Sequence, residues 1–273
     1  MPKTNEAMQH TIFHSFINNV ITVLQKSDDM VGLAVAGSWI TNETDAFSDL
    51  DLVVVSTTRI ADDPNHMKAI ANQFGTVLSA FTGEHVGEPR VLICLYKDPL
   101  LHVDIKFLTP DEFYHRVENP VVVWERNNTL STILENTTAT WPYPDYQWIE
   151  DRFWVWIHYA ALKIGRGELF EAFDFLGFLR MAVLGPLLHI KNGNQPRGVR
   201  KVETKLATED FEELAKTAAS LNATALISAL WKAIELYENL RMHLFDSTIE
   251  QKTEAVKAVK AYLKEIEEKV LLI

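Results

Sequence analysis

Two prolines in close succession, in Trp141-Pro142-Tyr143-Pro144-Asp145, divide this chain into stretches that must fold by different rules. Proline fixes φ and removes an amide donor, so neither a helix nor a central strand runs through such a pair. Before it the apolar residues come in short strand-like runs. After it they recur every three or four residues. A chain of 273 residues that is 47% hydrophobic has enough apolar material for two modest cores. The pattern predicts an α+β protein of two domains: residues 1–140 with a mixed, twisted sheet flanked by helices, and residues 141–273 as an all-α helical bundle.

Within the first domain, Phe13, Phe16, Ile17, Val20, Ile21 and Leu24 form one apolar face and predict a helix over residues 5–26. Strands are predicted over 32–37, 50–55, 77–81, 90–96 and 101–108. Asp62-Asp63-Pro64 reads as the capped start of a helix to residue 74, and Thr109-Pro110-Asp111-Glu112 as another helix entry. In the second domain five helices are expected, over 146–164, 168–190, 208–220, 223–245 and 247–271. Gly165-Arg166-Gly167 and the run from Lys191 to Pro196 punctuate them.

The formal net charge of −11 argues against a protein that wraps long nucleic acid, which needs a surplus of Lys and Arg. The acidity is concentrated: residues 1–140 hold nine Lys/Arg against eighteen Asp/Glu, and residues 141–273 hold seventeen against nineteen. An acidic domain suits the gathering of divalent cations or cationic substrates; it equally suits a solubilising surface. No apolar run reads as a membrane span and the first ten residues are polar, so a soluble, cytoplasmic protein is expected. The single cysteine, Cys94, lies in an apolar strand and reads as inert.

The chemistry is carried by Gly37-Ser38, followed after ten residues by Asp49-Leu50-Asp51 and the apolar run Leu52 to Val55. Side chains alternate along a strand, so Asp49 and Asp51 share one face while Leu50 and Leu52 take the other. Two carboxylates so close repel unless a cation lies between them, and magnesium prefers such oxygens together with water and phosphate. A third carboxylate, Asp104, alternates with Val103, Ile105 and Phe107, on the polar side of a strand that can pair beside the first.

These residues resemble the nucleotidyltransferase superfamily typified by DNA polymerase beta, and within it the small aminoglycoside (antibiotic) adenylyltransferases. The resemblance implies that Gly37 and Ser38 grip the triphosphate, that Asp49 and Asp51 hold two magnesium ions, and that Asp104 is a further ligand or the base for the acceptor hydroxyl. It implies transfer of a nucleoside monophosphate, AMP from ATP or another NTP, to a hydroxyl of a small molecule such as an aminoglycoside, with release of pyrophosphate. The helical domain resembles that family's substrate-binding domain, with the cleft between the two. Independently, a glycine after a strand lets amides approach a phosphate, and a serine adds a donor.

Other residues have two readings each. His102 shares the face of Asp104, as a substrate contact or a hydrogen-bonded structural histidine. Lys106 is a phosphate contact or a solvated strand end. The basic segment with Lys191, Arg197, Arg200, Lys201 and Lys205 is expected to supply nucleotide contacts through Arg197 and Lys201, or else to be an ordinary loop. Trp148, Phe153, Trp154 and Trp156 lie near Glu150, Asp151, Glu168, Glu171 and Asp174, either as core beside a charged surface or as a receptor for a cationic aminosugar. The competing functions are a nucleotide-binding sensor or antitoxin-like module, transfer to a protein or RNA acceptor, and a purely structural partner protein.

Overall fold

A computed structural model describes the backbone of residues 2–272 and the side chains of residues 11–272. The chain divides into two compact units, residues 1–141 and 142–273.

The first unit runs α1 (Pro2–Leu24), β1 (Met30–Val35), β2 (Leu50–Ser56), α2 (Pro64–Phe74), β3 (Val77–Gly83), β4 (Glu88–Tyr96), β5 (Leu101–Leu108), α3 (Pro110–Phe113), β6 (Val121–Glu125) and α4 (Thr129–Asn136). Helix α2 starts where its cap predicts: the Asp63 carboxylate accepts from the amides of Asn65 and His66, and Pro64 opens the first turn. Helix α3 is a single turn held by a capping box between Thr109 and Glu112.

The six strands are ordered β3-β4-β5-β2-β1-β6. β2 and β5 are parallel, and every other neighbouring pair is antiparallel. On one face Leu50, Leu52, Val54, Val103, Ile105 and Phe107 pack against Phe13, Ile17, Val20 and Leu24 of α1 and Met67, Ile70 and Phe74 of α2. On the other face Val53, Val55 and Leu108 join Phe113, Leu130 and Ile133 in a smaller core. Gly32 makes that second contact possible, since a Cβ there would lie 2.4 Å from Leu130 Cδ1. The alternation that buries Val53 and Val55 under α3 and α4 places Asp51 on this same face, beyond the covered part, and Asp49 lies one residue before the strand.

Two elements of this unit lie outside the predicted set. β6 is a short edge strand of Val121-Val122-Val123-Trp124-Glu125, and α4 follows it. The β-branched run of β6 is its only local signal, and pairing with β1 is what makes it a strand.

The second unit is helical: α5 (Tyr146–Gly165), α6 (Leu169–Leu179), a π turn at Arg180–Leu184, α7 (Gly185–Lys191), α8 (Val202–Lys205), α9 (Thr208–Ala215), α10 (Ala223–Leu244) and α11 (Thr253–Leu271). The expected helix over 168–190 is thus broken into two by the π turn, and the one expected to begin at 247 begins at Thr253. Leu169–Lys191 is, by length and composition, apolar enough to cross a membrane, contrary to the sequence expectation. Half of that stretch is buried, and Leu176, Leu179, Val183, Leu184, Leu187 and Leu188 belong to the core of this unit.

One buried charge organises the bundle. Glu150 of α5 has no exposed surface and accepts from Tyr237 Oη at 2.5 Å, Arg241 Nη1 at 3.0 Å, Lys252 N at 3.0 Å and Trp154 Nε1 at 3.3 Å. It ties α5 to α10 and to the start of α11.

Candidate functional site

The strand pairing assembles the predicted carboxylates. In the parallel β2/β5 ladder Asp51 lies directly opposite Asp104, as Leu50 does Val103 and Leu52 Ile105. Neighbouring strands are about 4.8 Å apart, so two acidic side chains on one face and in one register share a small volume. Asp49 precedes β2 by one residue and is close enough for its charge to act on Asp104. Asp49, Asp51 and Asp104 are each partly buried.

Asp104 shows the strain of this arrangement. Its carboxyl is pushed above the ordinary carboxylate range, first by burial and further by the negative charge of Asp49. His102 opposes the shift: its Nε2 lies 3.0 Å from Asp104 Oδ1. His102 is therefore a partner of the third carboxylate, the structural reading among its two.

β1 delivers Gly37 to the same place. It is antiparallel to β2, with Val35 opposite Leu52, and Ala36 N donates to Asp51 O at 2.9 Å. Gly37 opens a single 3-10 turn, Gly37–Trp39, at φ +63. A Cβ at this glycine would lie 1.9 Å from Asp51 Oδ2, so the turn backbone and the carboxylate are in direct contact only because no side chain is present. The amide of Gly37 donates to Glu118 Oε1 at 3.3 Å. Glu118 was not a sequence candidate, since nothing near it marks it.

Among the described residues no three His, Cys, Asp or Glu side chains converge as a finished metal cage. The donor set nonetheless fits a hard divalent cation: carboxylate oxygens from Asp49, Asp51 and Asp104, with no thiol nearby that is ready to ionise. The Gly37 cradle against Asp51 leaves backbone, not side chain, facing that carboxylate. Cys94 is buried and its thiol is pushed up to about 12 by that burial.

Lys106 is not directed to a phosphate. Its Nζ pairs with Glu88 Oε2 at 2.7 Å, and Arg90 grips the same carboxylate at 2.7 Å. This pair holds the Glu88 carboxyl well down, at about 2, through the Arg90 hydrogen bonds first and Lys106 next.

Arg197 and Lys201 lie in the second unit, in the loop between α7 and α8. Arg197 Nη2 donates to Gln195 Oε1 at 2.8 Å, and Lys201 sits at φ +59 before α8. The loop is firmly seated: a Cβ at Gly185 would lie 2.3 Å from Gly198 O. Lys191 is taken by Asp210 at 2.6 Å, and Asn192 fastens the loop's end by accepting from Ala207 N at 2.9 Å.

The acidic residues proposed around the aromatic cluster are largely engaged. Glu150 is buried, so it is no surface receptor for a cation. Glu168 and Glu171 both pair with Lys163, at 2.6 and 2.8 Å, and Asp151 pairs with Lys252 at 3.2 Å. Phe153 and Trp154 are core, whereas Trp148 is partly exposed with the Arg152 guanidinium 4.3 Å above its ring.

No protein-family model matches the chain, and no curated protein matches its sequence. Several solved structures resemble it, three of them as follows. An aminoglycoside 6-adenyltransferase from Bacillus subtilis is 15% identical, aligned over 91% of this chain and 96% of that one, with a TM-score of 0.39. A nucleotidyltransferase-like protein from Exiguobacterium sibiricum 255-15 is 11% identical over 88% and 84%, with a TM-score of 0.34. A STING-associated CdnE c-di-GMP synthase from Capnocytophaga granulosa is 15% identical over 94% and 82%, with a TM-score of 0.27. Likeness this loose carries no weight for activity, which has to be argued from the side chains.

Proposed function

We propose that this protein is a magnesium-dependent nucleotidyltransferase of the polymerase-beta type, which transfers AMP from ATP to a hydroxyl of a small molecule and releases pyrophosphate. The reading is carried by one observation: Asp51 is in register with Asp104 on adjacent parallel strands, and the Gly37 turn is pressed against the Asp51 carboxylate.

In this reading Asp49 and Asp51 hold magnesium, with Asp104 as a further ligand or as the base. Magnesium, when bound, supplies positive charge to the phosphoryl oxygens and to the departing pyrophosphate. Gly37 and Ser38 hold the phosphates through the turn amide and the hydroxyl, fixing the α-phosphorus in line with the acceptor. Asp104 accepts the proton of the acceptor hydroxyl as its oxygen bonds to phosphorus and the bond to pyrophosphate breaks. The His102 contact, 3.0 Å from Asp104 Oδ1, fixes the orientation of this carboxylate for that task. Arg197 and Lys201 are assigned to the triphosphate, and the helical unit to the acceptor. An acceptor of the aminoglycoside kind, hydroxylated and cationic, matches the acidic first unit. A cytoplasmic location, where ATP is supplied, goes with this reading.

The test is magnesium-dependent release of pyrophosphate from ATP, across a panel of aminoglycosides and other hydroxylated small molecules, with the Asp49→Asn, Asp51→Asn double variant as control. Release with one acceptor class, lost in the double variant, is the expected result. ATP binding without release for any acceptor would favour a nucleotide sensor, and absence of ATP binding would end the catalytic reading. Unchanged ATP affinity in Arg197→Ala and Lys201→Ala would remove those two residues from the site.

A further inference from the structure

The turn assigned to phosphate already has an anion against it. Gly37 N donates to Glu118 Oε1 at 3.3 Å, between residues 81 positions apart. Sheet pairing brings them together: Val35 of β1 is opposite Val121 of β6 in an antiparallel ladder. The chain leaving β1 through Ala36 and Gly37 therefore runs beside the chain entering β6 through Glu118, Asn119 and Pro120.

That entering segment is held in place. Arg116 Nε donates to Asn119 Oδ1 at 2.8 Å, Arg116 Nη2 donates to Thr137 O at 2.8 Å, and Pro120 is buried. Glu118 thus reaches Gly37 from a fixed support. An amide offers a single proton, which serves one acceptor at full strength. A carboxylate and a phosphate oxygen competing for it also repel each other.

We propose that Glu118 is a built-in competitor for the phosphate-binding amide, occupying Gly37 N until a nucleotide triphosphate displaces it. This rests on the nucleotidyltransferase reading and adds a residue that sets affinity without touching the reacting atoms. The displacement weakens the hold on ATP, and the returning carboxylate weakens the hold on pyrophosphate as it departs. Glu118 is a positioning and affinity-setting residue, distinct from the three aspartates.

Glu118→Gln separates charge from shape, because the amide oxygen can still accept from Gly37 N while the negative charge is gone. Calorimetric titration with ATP and magnesium is expected to show binding about tenfold tighter in Glu118→Gln than in the unaltered protein, because the incoming phosphate then meets a neutral amide in place of a carboxylate. The gain should shrink as salt rises, since it arises from repulsion that ions screen. Glu135→Gln, which removes one exposed charge from α4, controls for net charge and is expected to bind as the unaltered protein does. Equal or weaker binding by Glu118→Gln, in a protein whose ATP binding Asp51→Asn abolishes, overturns the proposal and leaves the nucleotidyltransferase reading standing. A gain that Glu135→Gln reproduces also overturns it, as a net-charge effect. If no ATP binds to the unaltered protein or to Glu118→Gln, the reading falls and the proposal with it.

Discussion

Gly37 and Glu88 show how single residues set the terms of this fold. A methyl group at Gly37 would meet a carboxylate oxygen at 1.9 Å and would also force a left-handed φ on an alanine. That backbone conformation alone costs about 1–3 kcal/mol in a residue with a side chain. Gly37→Ala is expected to lower the melting temperature by several degrees and to weaken ATP binding in magnesium at least about tenfold, read by thermal melts and calorimetry. Glu88 bears on pH. Its carboxyl is lowered from 4.5 to about 2 by Arg90 and Lys106, so between those values the unfolded chain binds the proton and the folded one does not. Its contribution to stability is complete above 4.5 and is lost as pH falls toward 2. Urea unfolding across that window should show a shallower loss of stability in Glu88→Gln than in the unaltered protein. At this scale the sequence was most legible where a period of two governs: the alternation of Asp49, Leu50, Asp51 and Leu52 implied one carboxylate face, and in β2 Leu50 and Leu52 enter the core while Asp51, which lies between them, does not, with Asp49 one residue before the strand. Glu118 was invisible, because its approach to Gly37 depends on a strand pairing that no local pattern encodes. The basic segment revealed its charge and not its partners, which is why the engagement of Lys191 by Asp210 could not be foreseen.

Helix α5 is held by Glu150, a carboxylate that sequence alone made look like surface. It lies four residues before Trp154, and both are fully buried, so the aromatic spacing marked the helix face correctly while the acid on that face went unread. Removing one partner of a buried pair leaves the other charge uncompensated, at a cost of about 3–5 kcal/mol. Glu150→Ala is expected to destabilise the helical unit by about that amount, because Arg241 has only 12% of its side chain exposed and its Nε finds no partner. Glu150→Gln, which keeps the acceptors, should lose less. Denaturant unfolding followed by tryptophan fluorescence reads the difference. Among the strands, β6 escaped detection because it is short and follows Asn119-Pro120, which look like a turn. The π turn at Arg180–Leu184 escaped because hydrophobic spacing is blind to one extra residue within an apolar helix.

Among the described residues every apolar core lies within one unit or the other, two on the faces of the sheet in the first and one in the helical second. Such a molecule need not unfold in one step, and a ligand bound by one unit stabilises that unit first. At a hundred times its dissociation constant, ATP with magnesium should add about 2.7 kcal/mol of protection where it binds. Hydrogen exchange is expected to slow in residues 30–37, 50–56 and 101–108 on addition of ATP and magnesium. Slowing confined to the helical unit would contradict the assignment of the site.

The parallel pairing of β2 with β5 carries one more consequence, for the order of events as the chain folds. The two strands are separated along the chain by α2, β3 and β4, so Asp51 and Asp104 are strangers until that whole excursion has closed. Closing so long a loop comes late, since its entropy must be lost before the contact rewards it. A half-made chain therefore has Asp49 and Asp51 without Asp104, and in the proposed reading it would hold a divalent ion more weakly. Any grip on metal that the proposed function assigns to these carboxylates would then be a mark of maturity, arriving with the finished sheet and absent from its precursors.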